Sequence, residues 1–255
     1  MSQAPVYLQP GYLLHQKKFR ETSLIVDVLT RDYGLITLLA KGVRKPKSRL
    51  AGVFFPFNGL DWSYSSGYEL KFLKHVEISS PPVQLQGAAL YSGFYVNELI
   101  SYFLPKDEPY PEVFEDYQTL LHHLNQSALI EQTLRFFELS LLERVGYGLD
   151  LNYDGKSNRP VIPSEHYLFD PDYGIRAATS GYISGQTLIN LQQGKLSDPQ
   201  SLMQTKKLMR VVIDFYLQGR ELKSRTVFAD MIKRLPVASF SQNPLISSGH
   251  IENEL

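Results

Sequence analysis

The pattern of hydrophobic and polar residues changes its period near Pro81-Pro82. Before that point, short apolar runs alternate with polar residues and are separated by turn residues, as in β-strands. Leu24, Val26 and Val28, for example, share one face of such a run. The pattern predicts strands at residues 12–15, 22–30, 35–41, 51–64 and 68–78. These strands favour a small closed barrel, since closure removes exposed strand edges, although an SH3-like barrel fits almost as well.

After Pro81-Pro82, apolar residues recur with the spacing of amphipathic helices. The predicted helices cover residues 83–104, 111–124, 127–145, 198–217 and 226–234. Between them, residues 149–183 are rich in Asn, Asp, Pro, Gly and Tyr, which predicts an irregular insert with a short hairpin around Asp170–Gly174. The sequence therefore predicts an α+β protein of two domains. These are a β-barrel over residues 1–80 and an all-helical domain with this insert over residues 81–240, followed by a flexible tail over residues 241–255.

Charge is unevenly distributed, although the chain of 255 residues has a formal net charge of zero. Residues 1–80 carry 11 basic and 6 acidic side chains, a net charge of +5, and residues 81–255 carry 15 and 20, a net charge of −5. The first surplus is concentrated in KGVRKPKSR at residues 41–49, where Gly42 and Pro46 predict a loop. Neighbouring cations repel one another unless a polyanion neutralises them, which favours a nucleic-acid contact over a merely solvated loop.

Several kinds of chemistry are excluded by what the sequence lacks. It has no cysteine, which excludes disulfides, thiolate metal sites and thiol nucleophiles. It has no P-loop, GxSxG or HExxH motif. Asn97 and Glu98 are adjacent in a predicted helix and so face different ways, which favours a structural role in contact with the barrel. No apolar run approaches the roughly 18 residues that span a bilayer. We therefore expect a cytoplasmic protein, without a secretion signal, enzymatic activity, cofactor or metal.

Four separated stretches resemble one protein family. The first is GYLLHQKKFRETSLIVDVLTRDYGLITLLAKGVRKPKSRLAGVFFPFNGL, and the others are LYSGFYVNELI, RFFELSLLERVGYGLDL and LKSRTVF. In this order and spacing, over about residues 8–235, they resemble RecO, the family of bacterial recombination mediators. The resemblance implies an oligonucleotide-binding (OB) fold joined to a helical domain, and a nucleoid-associated protein that binds and anneals DNA. It also implies action with RecR, so that the RecA recombinase replaces single-stranded-DNA-binding protein (SSB) on single strands in recombinational repair.

The sequence departs from many RecO proteins at one site. Those proteins bind a structural zinc through four cysteines in the segment that corresponds to residues 149–183, and this segment has none here. His166 alone cannot form a tetrahedral zinc site. We therefore predict a zinc-free segment that is held by packing around Tyr153, Tyr167, Phe169 and Tyr173.

A barrel that binds single strands needs cations along a groove and aromatic rings on which bases stack. We expect Phe54, Phe55, Phe57 and Trp62 to be core residues, whereas Phe19 lies between two cations and is a candidate for stacking. No base-reading helix is evident, so we expect recognition of the DNA backbone rather than of sequence. The candidate DNA-binding residues, from the barrel and from the basic stretch at 206–234, are Lys17, Lys18, Phe19, Arg20, Lys41, Arg44, Lys45, Lys47, Arg49, Lys223 and Arg225.

The resemblance also implies a site for the acidic SSB tail, which ends in a phenylalanine. A cation beside an apolar groove would bind the terminal carboxylate while the groove buries the ring. By resemblance this site lies on the helix that contains Arg135, and Arg135→Ala should weaken binding of a tail peptide more than binding of naked oligonucleotide. The candidate residues are Arg135, Phe136, Leu139, Leu142, Lys206, Lys207 and Arg210.

Two other functions stay open at this stage. One is a general RNA- or tRNA-binding barrel module with a helical scaffold, and the other is a hydrolase with its site in residues 149–183. Annealing of complementary oligonucleotides coated with SSB separates a recombination mediator from both. A preference for DNA over RNA separates it from the first, because no sensor of the 2′-hydroxyl is evident.

Overall fold

The computed structural model describes residues 4–45, 48, 50, 52–65, 71–126 and 129–234. Backbone packing divides the chain into two compact units. The first contains residues up to 130 together with residues 140–147, and the second contains residues 131–139 together with the chain from residue 148 onward. The predicted tail over residues 241–255 lies outside the described residues.

The first unit contains the predicted barrel. Its strands are β1 (Val6–Phe19), β2 (Ser23–Thr30), β3 (Gly34–Ala40), β4 (Gly59–Ser65) and β5 (Lys71–Ile78). They form a closed barrel in the order β1-β2-β3-β5-β4, in which β3 and β5 are parallel and the other neighbouring pairs are antiparallel. The OB-fold is a five-stranded barrel of this kind, so the expected fold is confirmed.

The interior of the barrel follows the alternation seen in the sequence. Leu24, Val26 and Val28 on one face of β2 are buried in a single hydrophobic cluster with Ile36 of β3 and Trp62 of β4. Burial of large apolar side chains is the main favourable contribution to the stability of such a barrel. The alternating residues of the sequence therefore do face the core.

The stretch predicted as a strand over residues 51–64 begins later than expected. Residues 52–58 are a loop, and β4 starts at Gly59. Pro56 lacks a backbone N–H, and Phe57 has a φ of 73°, in the left-handed region that a strand cannot accommodate. The prediction was therefore wrong for the first half of this stretch.

Two helices follow the barrel within the first unit, α1 (Gly87–Phe103) and α2 (Pro111–Asn125). The side-chain amide of Asn97 in α1 donates to the Leu14 carbonyl oxygen of β1 at 3.0 Å, and its oxygen accepts from the Tyr117 hydroxyl of α2 at 2.6 Å. All three residues are buried. The structural role expected for Asn97 is confirmed, because one amide joins α1 to both the barrel and α2.

The second unit is mainly helical. Helix α3 (Ile130–Arg144) contributes residues 131–139, and the later helices are α4 (Gly185–Gln192), α5 (Pro199–Tyr216) and α6 (Lys223–Arg234). The insert contains three short strands, β6 (His166–Asp170), β7 (Gly174–Ala177) and β8 (Ile183–Ser184), so the predicted hairpin is confirmed. Helix α4 was not predicted. Among the described residues, no helix is long and apolar enough to cross a membrane.

Candidate nucleic-acid interface

The hairpin of β1 and β2 places three cations at its closed end. Lys17, Lys18 and Arg20 are exposed, and Phe19, which pairs with Ser23 across the ladder, is half-buried. The chain reverses at Arg20, whose φ of 50° lies in the left-handed region that tight turns require. The Arg20 guanidinium carbon lies 5.3 Å from the centre of the Phe19 ring, within the range of a cation–π contact. The cation therefore covers part of the ring face that a base would need.

The basic loop after β3 lies against this hairpin turn. The backbone N–H of Arg44 donates to the Thr22 carbonyl oxygen at 2.9 Å, and its guanidinium donates to the Arg20 carbonyl oxygen at 3.3 Å. Lys41, Arg44 and Lys45 are exposed. Two segments that are far apart in sequence thus present their cations together.

The cations of the hairpin end and of the loop form what we call the basic surface of the barrel. Within the described residues, none of them forms an ion pair with a carboxylate. The Lys41 ammonium instead lies 4.6 Å from the centre of the Phe72 ring. The β1–β2 turn itself contains one acidic residue, Glu21. Lys47 and Arg49 lie outside the described residues. The basic surface comprises Lys17, Lys18, Arg20, Lys41, Arg44 and Lys45.

One aromatic residue departs from the expected core. Phe54, Phe57 and Trp62 are buried, as predicted, but Phe55 is 58% exposed. The prediction for Phe55 was wrong because residues 52–58 are a loop that buries Phe54 and Phe57 and leaves Phe55 outside. Phe55 is the residue at this interface that the sequence reasoning missed.

Two family models match most of the chain. The model for "Recombination protein O N terminal" matches residues 1–82, and the model for "Recombination protein O C terminal" matches residues 84–226.

The chain belongs to the RecO family.

A relative named DNA repair protein RecO, from Aromatoleum aromaticum, is 39% identical over 228 residues, which cover 88% of this chain and 95% of the relative. A second, from Methylococcus capsulatus, is 40% identical over 225 residues, which cover 88% and 93%. Membership of the family assigns this chain to DNA repair and recombination.

The insert of this RecO chain does not fit a zinc ion. It has no cysteine, and His166 is exposed. Among the described residues, no group of three or more His, Cys, Asp or Glu side chains could hold a metal ion. The predicted packing of the insert is right for Tyr167 and Phe169, which are buried, but wrong for Tyr153 and Tyr173, which are exposed. Packing of these four aromatic rings therefore does not by itself explain how the insert is held in its folded structure.

A buried carboxylate holds the insert instead. One oxygen of Asp154 accepts the backbone N–H groups of Lys156 and Ser157 at 2.8 and 2.9 Å, and the other accepts that of Ala177 in β7 at 2.9 Å. Burial by itself would raise the pKa of Asp154, but these three backbone hydrogen bonds, together with one from the Ser157 side chain, outweigh it and hold the pKa below its ordinary value. The Asp154 carboxylate thus joins the loop at residues 154–157 to strand β7, a structural role that a bound metal ion plays in other proteins.

The family-implied site for the SSB tail centres on an arginine that is largely buried. Arg135 is only 7% exposed, and its guanidinium pairs with the Glu138 carboxylate at 2.8 Å, one turn along α3. Its Nε atom is buried without a hydrogen-bond partner. Phe136 and Leu139 are half-buried, whereas Leu142, which belongs to the first unit, is buried. A carboxylate that reached Arg135 would therefore compete with Glu138.

The cations proposed to share this site lie on α5 and are exposed. Lys206 pairs with Glu131 of α3 at 3.1 Å, which brings it within about one helical turn of Arg135 on the same helix. The Lys207 ammonium lies 5.1 Å from the centre of the Tyr182 ring. Arg210 pairs with Asp214 at 3.8 Å. Among the described contacts of these three cations, the ion pair of Lys206 with Glu131 is the one that reaches α3.

The candidate DNA-binding residues on α6 differ in setting from those of the barrel. Arg225 is half-buried and forms an ion pair with Asp214 of α5, while Lys223 is exposed. A carboxylate thus neutralises much of the Arg225 charge, whereas the cations of the barrel have no such partner among the described residues. The barrel is therefore the stronger candidate for phosphate binding.

Proposed function

We propose that this chain is a non-enzymatic recombination mediator that binds single- and double-stranded DNA through the basic surface of its OB barrel. In this role it anneals complementary strands and, with RecR, helps RecA replace SSB on single strands. Membership of the RecO family supports the mediator role, and the exposed cations support DNA binding.

The observation that carries the DNA-binding part is the arrangement of the basic surface. Cations from two distant segments converge where Arg44 bonds to the backbone of the β1–β2 turn. Because no described carboxylate pairs with them, binding a polyphosphate costs no existing ion pair and releases condensed counterions. Phosphate contacts carry no sequence information, so binding is expected to be indifferent to sequence.

Annealing of SSB-coated oligonucleotides tests this proposal most directly. The wild-type protein should accelerate annealing of two complementary, SSB-coated strands, and Lys17→Ala combined with Lys18→Ala should slow it, because phosphate contacts are lost. Lys195→Ala serves as a control, since Lys195 is an exposed cation in the second unit. Equal effects of the two changes, or tighter binding to RNA than to DNA, would contradict the proposal.

The proposed SSB-tail site needs a different variant from the one that the sequence suggested. Arg135→Ala would break a buried ion pair with Glu138, so a loss of binding could follow from loss of folding. Lys206→Ala changes an exposed residue next to the same helix and avoids this problem. We expect it to weaken binding of a fluorescent peptide with an acidic, Phe-terminated tail, and to leave binding of a naked oligonucleotide unchanged. Equal loss of both would reject separate sites.

A further inference from the structure

Phe55 is an exposed aromatic ring on a firmly held loop. The side chains on both sides of the Phe55-Pro56 pair are buried: Phe54 lies 6.1 Å from Trp62 between ring centres, and Phe57 lies 5.1 Å from Phe94 of α1. The two buried rings anchor the loop and leave Phe55 outside. Its exposure therefore results from the fold of the loop and not from a loose chain end.

The loop is also tied to the strand that carries part of the basic surface. The side-chain amide of Gln16 in β1 donates to the Phe54 carbonyl oxygen at 3.3 Å. Residues two apart share a face of a strand, so Lys18 emerges on the same face as Gln16, about 7 Å further along. Lys17 follows Gln16 directly, and both lysines are exposed. The backbone next to Phe55 therefore contacts the strand that carries Lys17 and Lys18, one residue before Lys17.

An exposed phenylalanine contributes little to folding, because its ring remains largely in water. An exposed ring on a loop that contacts a strand with exposed cations is suited to a ligand that has both negative charge and flat apolar faces. Single-stranded DNA has both, since its bases are free to stack on an aromatic side chain while its phosphates contact lysines. In a duplex the base faces are already stacked within the helix, so only the phosphates are available.

We propose that Phe55 is a base-stacking residue that gives the basic surface a preference for single strands over duplexes. The inference rests on the proposed function, because it assumes that DNA binds the basic surface. It assigns the two kinds of contact to different residues: the lysines bind any DNA backbone, and Phe55 binds an unstacked base.

Three fluorescent probes of equal length test this assignment with the full chain: an oligothymidylate, an abasic oligonucleotide with the same sugar–phosphate backbone, and a duplex. Phe55→Ala should weaken binding of oligothymidylate by roughly 5- to 160-fold, the range for loss of one stacked base. It should leave binding of the abasic strand and of the duplex unchanged. Tyr7→Ala is the matched control, because Tyr7 is another highly exposed aromatic residue of the barrel and belongs to the same strand as Lys17. This control should leave all three affinities unchanged.

A second variant gives a direct optical signal. In Phe55→Trp the new indole should be quenched when oligothymidylate binds and should not be quenched by the abasic strand, since quenching requires a stacked base. The native Trp62 is fully buried and provides a constant background.

The outcomes separate the two proposals. If the wild type binds all three probes and Phe55→Ala leaves the oligothymidylate affinity unchanged, or weakens the abasic strand equally, the stacking role is overturned while DNA binding stands. If the wild type binds none of the probes, the proposed function fails as well. If Tyr7→Ala reproduces the effect of Phe55→Ala, the assignment to Phe55 is also overturned.

Discussion

Asp154 is the residue whose replacement should most clearly disturb the insert, because its carboxylate accepts three backbone N–H groups. In Asp154→Asn, an amide group replaces one carboxylate oxygen and presents N–H donors where an acceptor is needed. A hydrogen bond to a charged group contributes about 1.5–3 kcal/mol, and a buried donor left unsatisfied costs about 1–3 kcal/mol. The side chain is only 4% exposed, so water cannot readily replace the lost acceptor. We expect a local destabilisation of about 2–4 kcal/mol.

Hydrogen–deuterium exchange at the Ala177 and Lys156 amides measures this change at the site. A loss of about 2–4 kcal/mol corresponds to exchange that is roughly 30- to 1000-fold faster, at about 1.36 kcal/mol per factor of ten. Asp150→Asn is the matched control, because Asp150 is exposed and accepts one backbone N–H, that of Asn152. If both variants exchange at the same rate as the wild type, the structural role of Asp154 is refuted.

The contribution of the Asp154 carboxylate to stability should also depend on pH, with a defined sign. The pKa of Asp154 is lowered in the folded chain, so its carboxylate contributes stability above the unfolded value of about 3.9. That contribution is lost as pH falls through the lower folded value. The difference in stability between wild type and Asp154→Asn should therefore be full near neutral pH and shrink below about pH 4. A difference that grows on acidification would contradict the reasoning.

Three further predictions concern stability. Arg135→Ala breaks the buried ion pair with Glu138 and should lower the free energy of unfolding by about 3–5 kcal/mol in urea titrations; a loss below about 1 kcal/mol would show that the pair is dispensable. Gly34→Ala places a methyl group on the Glu108 carbonyl at a φ of 65° and should lower the melting temperature, whereas Gly52→Ala, with open space around it, should not. EDTA should leave the unfolding midpoint unchanged, and a fall would reveal a metal that the described donors do not account for.

The barrel could be predicted from the sequence because its strands carry a local signal. The alternating residues of β2 are buried as their pattern requires, and turn residues mark the strand ends. The strand order could not be derived from the pattern, because the parallel pairing of β3 with β5 joins residues far apart in the chain, such as Leu39 and Phe72. The resemblance to the RecO family supplied the OB-fold that periodicity left open.

The features of the site that the sequence did not reveal depend on contacts between distant residues. The burial of Arg135 and its pairing with Glu138 do not follow from helical spacing, which says only that the two share a face. Asp154 reaches Ala177 across 23 positions, and an Asp in a loop normally indicates only a turn. Phe55 was misassigned because three phenylalanines within four positions resemble a core strand, and Pro56 is the sequence signal that indicated otherwise.

The salt dependence of binding to single-stranded DNA tests the central claim, that the basic surface of the barrel binds phosphates. If about five phosphates are neutralised, log affinity should fall with log salt concentration at a slope of roughly −3 to −4. In the triple variant Lys17→Ala, Lys18→Ala and Arg44→Ala, the slope should become shallower by about 2, since about three phosphate contacts are lost. A slope near zero for the wild type, or one unchanged in the triple variant, would contradict the account.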